Sequence, residues 1–385
     1  MGSRRALNRA RRIVVKVGSG LITAPDQGPL APRISRLAAD LAALVADRRE
    51  VALVSSGAIA TGTARLGLHT RPRSIPQKQA AAAVGQSALM WHYEQAFKRH
   101  GIHVGQVLLT GQDISDRSRY LNARNTLLAL LDFGVLPIVN ENDTVAVDEI
   151  KVGDNDNLAA LVAHLIDADL LVLLTDVDGL YTGDPRHDPA ARVLETVEAV
   201  TEDIVRLVFD EAGRVSVGGM STKLEAAQKA SASGIPMVIA SGQEAGTLAR
   251  LLKGESIGTY FQPRDDRLAA RKRWIAFAVP PQGRLMVDAG ARKALTERGK
   301  SLLPSGLVDV QGDFPAGAVV SLAEFDGPEF ARGLVNYDAH ELRTIRGRKT
   351  REIEKALGYK GFDEVIHRDN LVVLQHSEGG RGSWT

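Results

Sequence analysis

The 385-residue sequence contains no cysteine, which excludes disulfides, thiolate metal sites and cysteine nucleophiles together. No apolar run approaches the length of a membrane span. Met1 to Arg12 is basic, but the apolar stretch after it is interrupted by Lys16, so no secretory leader is recognisable. These absences predict a cytoplasmic protein, in which the Asn142-Asp143-Thr144 glycosylation sequon carries no meaning. The formal charge of +2 is too small for a global polyanion footprint, and partners have to be argued locally. Several familiar motifs are also missing: the Gly-x-x-x-x-Gly-Lys-[Ser/Thr] P-loop, Gly-x-Gly-x-x-Gly, Gly-x-Ser-x-Gly and His-Glu-x-x-His. Asp154-Asn155-Asp156-Asn157 lacks the glycine and distal glutamate of an EF-hand. The histidines do not pair at metal spacing, and His92 and His100 read as surface or interhelix residues, so no protein-held metal is expected.

What is present fits a globular protein, with 44% hydrophobic and 24% charged residues. The length exceeds one ordinary core and suggests two or three domains. Up to about Tyr260, short Val/Ile/Leu runs alternate with amphipathic segments. The runs are Ile13 to Val17, Val51 to Val54, Val104 to Leu109, Val135 to Val139, Leu170 to Leu174 and Pro236 to Ala240. The intervening helical patterns include Ile34 to Ala46, Lys78 to Phe97, Leu121 to Leu131 and Asn157 to Leu165. Unalternated strands separated by helices predict an α/β fold, a mostly parallel sheet sandwiched by helices. In such sheets ligands bind beyond the carboxyl ends of the strands.

Four of those ends carry polar or glycine residues. Lys16 precedes Gly18-Ser19-Gly20; the second run meets Ser55-Ser56-Gly57-Ala58; the fourth meets Asn140-Glu141-Asn142-Asp143; the fifth meets Thr175-Asp176. Each segment taken singly is explained as a turn or a helix cap, but their shared position points to a binding edge. Two further clusters open helical patterns: Lys151-Val-Gly-Asp-Asn-Asp-Asn157 and Gly218-Gly-Met-Ser-Thr-Lys223. Helix starts present free amides and a positive dipole end to anions. The Gly218-Gly219 pair lets backbone approach a ligand, Ser221 and Thr222 add donors, and Lys223 supplies a charge that can follow a phosphoryl group.

Taken in order with Val14-Val-Lys-Val-Gly18, Ser55-Ser-Gly-Ala58 and Leu174-Thr-Asp176, these motifs resemble the amino acid kinase superfamily, specifically its glutamate-phosphorylating branch. The resemblance runs from about Arg12 to Trp274. It continues into a region similar to a PUA domain through Val287-Asp-Ala-Gly-Ala-Arg-Lys-Ala294 and Gly299-Lys-Ser-Leu-Leu-Pro304. One departure is Val217, where many relatives carry Thr.

The resemblance implies transfer of the γ-phosphoryl group of ATP to the side-chain carboxylate of L-glutamate, the first step of proline synthesis, with Mg²⁺ bridging the ATP phosphates. It implies Lys16 and Lys223 as catalytic cations and Asp156 as the carboxylate that holds them. It assigns glutamate to Ser56, Gly57, Asp143 and Asn155. It assigns ATP to Lys16, Thr175, Asp176 and the segment Val217, Gly218, Gly219, Met220, Ser221, Thr222 and Lys223. Asp178, by contrast, reads as a turn residue in Asp-Gly. Proline is expected as an inhibitor from pathway position, and a homo-oligomer from family habit, with Ala80 to Met90 as a candidate interface.

The expected organisation is a catalytic domain over 1–262, a charged linker over 263–279, a small β-rich PUA domain over 280–365, and a C-terminal strand and tail over 366–385. Short β runs at Leu307 to Val310, Ala318 to Leu322 and Leu371 to Leu374 suggest a barrel-like module. PUA domains elsewhere bind RNA, and a non-enzymatic, RNA-linked protein is the competing class. Yet 15 Lys and Arg balance 15 Asp and Glu between Pro281 and Thr385. The cluster Arg343, Arg346, Arg348, Lys349 and Arg351 reads better as a solvated helix face than as a phosphate contact.

Overall fold

The computed structural model describes residues 4–23, 30–70, 72–111, 113, 117–145, 155–185, 187–208, 219–263, 281–325, 327–359 and 361–374. Contacts divide the chain into Met1–Asp265 and Asp266–Thr385. In the first unit, five apolar runs become β1 (Arg12–Val17), β2 (Glu50–Ser55), β3 (Val104–Leu109), β4 (Leu136–Glu141) and β5 (Leu170–Thr175). The short β6 (Thr196–Val197), then β7 (Met237–Ser241) and β8 (Thr259–Phe261), complete an eight-stranded sheet. Its order is β3-β4-β2-β1-β5-β7-β8-β6. Every pairing from β3 to β7 is parallel, whereas β8 runs antiparallel to β7.

Both faces of this sheet are covered, which is why its central strands show no polar alternation. Successive residues feed opposite cores. Val14, Leu171 and Leu173 face a cluster with Leu127, Leu158, Val162, Leu224 and Ala227, from helices Arg117–Asp132, Asn155–Leu165 and Met220–Ala232. Ile13, Val15, Leu170 and Val172 face Leu37, Leu41, Leu89, Tyr93 and Phe97, from helices Leu30–Ala46 and Ile75–Lys98.

Helix Ile75–Lys98 starts earlier than its apolar pattern, because Ser74 accepts a hydrogen bond from the Gln77 amide and Pro76 occupies the first turn. It also lies in backbone contact with helix Ala58–Arg65. A Cβ on Gly85 would stand 1.8 Å from the Ala58 carbonyl oxygen, and one on Gly62 would stand 1.7 Å from that of Ala81. The approach therefore requires both glycines. Most of the Ala80 to Met90 segment is consequently used inside its own unit: Ala81, Ala82, Gly85, Gln86, Ala88 and Leu89 are buried. Ala80, Ala83, Ser87 and Trp91 remain on its exposed side. No helix among the described residues is long and apolar enough to cross a membrane.

The second unit contains β9 (Gly283–Val287), β10 (Leu307–Gln311), β11 (Val319–Ala323), β12 (Glu329–Leu334) and β13 (Leu371–Val373), in the order β10-β9-β11-β12-β13. Its core, including Leu285, Leu322, Phe330, Tyr337, Leu342 and Ile366, is its own. The C-terminal strand pairs with β12 and so belongs to this sheet; residues 375–385 and the linker residues 264–280 lie outside the described set. The basic cluster spans the end of helix Ala339–Ile345 and the turn after it. There Arg343 donates to the Gly312 carbonyl, Arg346 pairs with Asp309 at 3.0 Å and Arg348 donates to the Thr344 carbonyl at 2.9 Å.

Candidate active site

Because β4, β2, β1 and β5 are adjacent and parallel, their carboxyl ends form one continuous edge. Lys16, Ser55-Ser56, Asn140-Glu141 and Thr175 all lie there. Helix Asn155–Leu165 brings Asp156 to the same edge in its first turn, and helix Met220–Ala232 brings Lys223. Gly219 precedes that second helix in the left-handed region, with φ 72°, a conformation that glycine adopts without steric cost.

Three buried charges meet at this point. Asp156 is 1% exposed, Lys16 6% and Lys223 8%. One carboxylate oxygen, Oδ1, forms the ion pair with Lys16. The other accepts from Lys223 Nζ and from Thr222 Oγ1, both at 3.0 Å. Lys223 Nζ is tied further to the Gly219 carbonyl at 3.2 Å. Burial alone pushes the Asp156 carboxyl up, but Lys16 and Lys223 together outweigh it and hold the group below its ordinary range. The cluster is two cations on one anion, a net positive charge in a dry place beside two helix starts. Such a site favours a further anion.

A second polar group adjoins it. Asn155 Nδ2 donates to Ser56 Oγ at 2.7 Å and to Asn140 Oδ1 at 3.0 Å. Asn140 is held in turn by the Glu141 amide and by Gln86 from helix Ile75–Lys98, each at 2.9 Å. Gly57 caps helix Ala58–Arg65 with φ 112°. Asp143 is half-buried in the turn after β4. Across the edge, buried Thr175 donates to Asp176 Oδ1 at 3.0 Å, and a Cβ on Gly20 would come within 3.3 Å of Asp176 Oδ2. Asp176 is exposed, Met220 is buried and Ser221 is half-buried at the helix start. Asp178 accepts from the Tyr181 hydroxyl at 3.0 Å, a local tie that suits a turn residue.

Of the residues singled out from the sequence, Lys16, Asp156, Lys223 and Thr222 are in mutual contact, as are Ser56 and Asn155. Val217, Gly218 and the Lys151 to Asp154 half of the acidic run lie outside the described residues. Gln86 carries a role that the motifs did not disclose. Its signal is an isolated amide on the inward side of an otherwise apolar helix, between Ala82 and Leu89. Asn157 is a second such residue: it accepts from Lys229 Nζ at 2.6 Å and donates to Glu225 at 3.1 Å, joining the two site helices. Among the described residues no cluster of three or more His, Asp or Glu could hold a metal ion.

Residues 11–241 match the Amino acid kinase family model, and residues 283–357 match the PUA domain. A glutamate 5-kinase from Moorella thermoacetica is 53% identical over 371 residues, covering 96% of this chain and 98% of its own. One from Myxococcus xanthus has the same identity and coverage. A structure of carbamate kinase from Giardia lamblia bound to AMP-PNP aligns with 66% of this chain and 99% of its own, at 19% identity and a TM-score of 0.48. With a family model matching more than half its length and relatives this close, the chain belongs to the amino acid kinase family, in the glutamate 5-kinase branch that carries a C-terminal PUA domain.

Proposed function

We propose that the chain transfers the γ-phosphoryl group of ATP to the side-chain carboxylate of L-glutamate, forming L-glutamyl 5-phosphate and ADP in the first step of proline synthesis. The observation that carries this reading is the buried Lys16–Asp156–Lys223 cluster. A carboxylate with an ordinary pKa near ~4.3 is already ionised at neutral pH, so the reaction needs no general base. One carboxylate oxygen forms a bond to the γ-phosphorus as the bond to the β-γ bridging oxygen breaks. The obstacle is electrostatic, since two anions must be aligned and the charge on the transferring group neutralised.

In this reading Lys16 and Lys223 approach the transferring group from two different elements. Asp156 lowers their mutual repulsion and fixes their separation. Magnesium brought with ATP would supply further positive charge at the phosphates, beside that of Lys16 and Lys223. Asp143 and Asn155 receive the glutamate ammonium, Ser56 and the Gly57 amide receive a carboxylate, and Thr175, Asp176 and the Val217 to Lys223 segment face the nucleotide. Proline, sharing the α-amino acid head, competes at Asp143 and Asn155; an apparent glutamate affinity unchanged by proline would remove this part. Self-association falls to the outer side of helix Ile75–Lys98, where Trp91 is 58% exposed. Sedimentation of the Trp91→Glu variant tests it.

The decisive experiment follows ATP turnover with hydroxylamine present, which traps an acyl phosphate as a hydroxamate. Glutamate, N-acetylglutamate, aspartate and carbamate are offered in turn. Glutamate-dependent turnover with hydroxamate formation is expected. Turnover with a different acceptor overturns the choice of glutamate in favour of another amino acid kinase activity, and no turnover with any acceptor leaves the non-enzymatic class.

A further inference from the structure

Asn155 is fixed on its nitrogen side and, among the described residues, unpaired on its oxygen side. Nδ2 faces three acceptors, Ser56 Oγ at 2.7 Å, Asn140 Oδ1 at 3.0 Å and the Ser55 carbonyl at 3.5 Å. Oδ1 is buried and has no hydrogen-bond partner among the described residues. A buried acceptor without a donor is destabilising, so this oxygen is suited to a donor that arrives with the ligand.

The direction of the amide is set by the backbone. The Glu141 N–H donates to Asn140 Oδ1 at 2.9 Å, and a backbone N–H cannot accept in return. Asn140 must therefore aim its oxygen there and its nitrogen at Gln86 Oε1, 2.9 Å away. That same oxygen also takes Asn155 Nδ2, which obliges Asn155 to turn its own oxygen outward. Ser56 Oγ is engaged as an acceptor, and among the described residues its hydroxyl hydrogen has no acceptor, which suits an anion. Reversing Asn140 would set donor against donor at the Glu141 amide. Gln86 closes the far end of the relay from a helix held in place by the Gly62–Gly85 contact.

We propose that Gln86 and Asn140 are positioning residues that fix the hydrogen-bond polarity of Asn155 and Ser56, so that the site selects an acid bearing an ammonium group over the same acid without one. The inference rests on glutamate being the phosphoryl acceptor. A site built around a buried acceptor rejects an analogue that lacks the matching donor, because the acceptor is then left unpaired. Glutarate is that analogue.

The test measures KM for glutamate and the competitive inhibition constant of glutarate for the wild type, Gln86→Met, Asn140→Leu and Asn140→Asp. In the wild type the glutarate constant exceeds KM for glutamate. Gln86→Met and Asn140→Leu should lower that ratio by about tenfold or more, through KM for glutamate, with kcat and KM for ATP within about threefold. Asn140→Asp keeps an oxygen toward both the Glu141 amide and Asn155, and should hold the ratio within about threefold of wild type. Equal weakening of glutamate and glutarate, leaving the ratio unchanged, means a general packing role and overturns the proposal. If circular dichroism shows Asn140→Leu unfolded, Gln86→Met decides alone. A wild type inactive on glutamate overturns the proposed function itself, whereas an active one with an unaltered ratio overturns only the relay.

Discussion

Lys223 Nζ donates to Asp156 Oδ2 at 3.0 Å across 67 positions of sequence, while Lys16 occupies the other carboxylate oxygen. One buried carboxylate thus spaces two ammonium groups contributed by a strand and a helix. A carboxylate shared in this way organises charge, and in the proposed reaction both lysines act on the phosphoryl group.

Lys16→Met and Lys223→Met should therefore each cut turnover far more than they raise KM for glutamate. Charge matched to a transition state matters less in the ground state, and a loss of about 3 kcal/mol or more, roughly a hundredfold in kcat, is expected. Asp143→Ala should do the reverse and act mainly on KM. Steady-state kinetics check both. Near-normal kcat in either lysine variant would remove that lysine from the reaction.

Asp156→Asn leaves two buried cations facing a neutral amide. It should destabilise the fold by about 3–5 kcal/mol and slow turnover through misplaced lysines. The pH dependence has a defined sign. The folded carboxyl titrates below its ordinary value of 3.8, so its contribution is complete above that value and is lost as pH falls through the folded pKa. Urea unfolding should show a constant gap between wild type and variant from pH 7 to about 4 and a narrowing gap below. A gap that narrows already between pH 7 and 5 would contradict a depressed carboxyl.

Much of the first unit is legible in the sequence because buried parallel strands have a simple pattern. Unbroken Val, Ile and Leu between helices specifies β1 to β5 and β7, and the rule that ligands bind at carboxyl ends picks out Lys16, Ser56 and Thr175. The short β6 and β8 are invisible to that pattern: two and three residues carry no period. Strands β9 and β12 are hidden in the sequence by Arg284, Glu329 and Arg332, partly buried charged residues that break their apolar runs. Strand order is not written locally either, since β1 finds β2 and β5 only through tertiary packing. For the same reason Gln86 could be recognised as an inward-facing amide, but its partner on β4, 54 positions away, could not. Arg4 lies in a basic N-terminal stretch with no motif, yet its guanidinium donates to the carbonyls of Ile257 at 2.6 Å and Glu195 at 2.5 Å.

The Asn157 clamp gives a separate test of how the lysine is held. Lys229 and Glu225 lie on the helix that carries Lys223, and both bind the buried amide next to Asp156. Asn157→Leu should lower stability by about 1–3 kcal/mol and reduce kcat, because the two helices lose their register beside the cluster. Lys229→Met, at an exposed position, should cost less than about 1 kcal/mol. Urea midpoints alongside kcat separate the two, and an Asn157→Leu enzyme with wild-type turnover would show that the clamp does not position Lys223.

The last test concerns the division of the chain. All residues assigned to chemistry lie at or before Lys223, and among the described residues the two cores that flank their sheet draw on positions from Leu7 to Phe261. Among the described residues the third core draws on positions from Leu285 to Leu371. Domains with separate cores fold largely independently, and an added domain more often tunes populations than builds a site. A chain ending at Arg273 should therefore fold and phosphorylate glutamate with kcat within about tenfold of the full chain, while assembly, magnesium dependence or proline inhibition shifts. Circular dichroism first establishes that the truncated chain is folded, and hydroxamate formation then measures its activity. A folded but inactive product would mean that the C-terminal unit completes the active site, and the assignment of all catalysis to the first unit would fail.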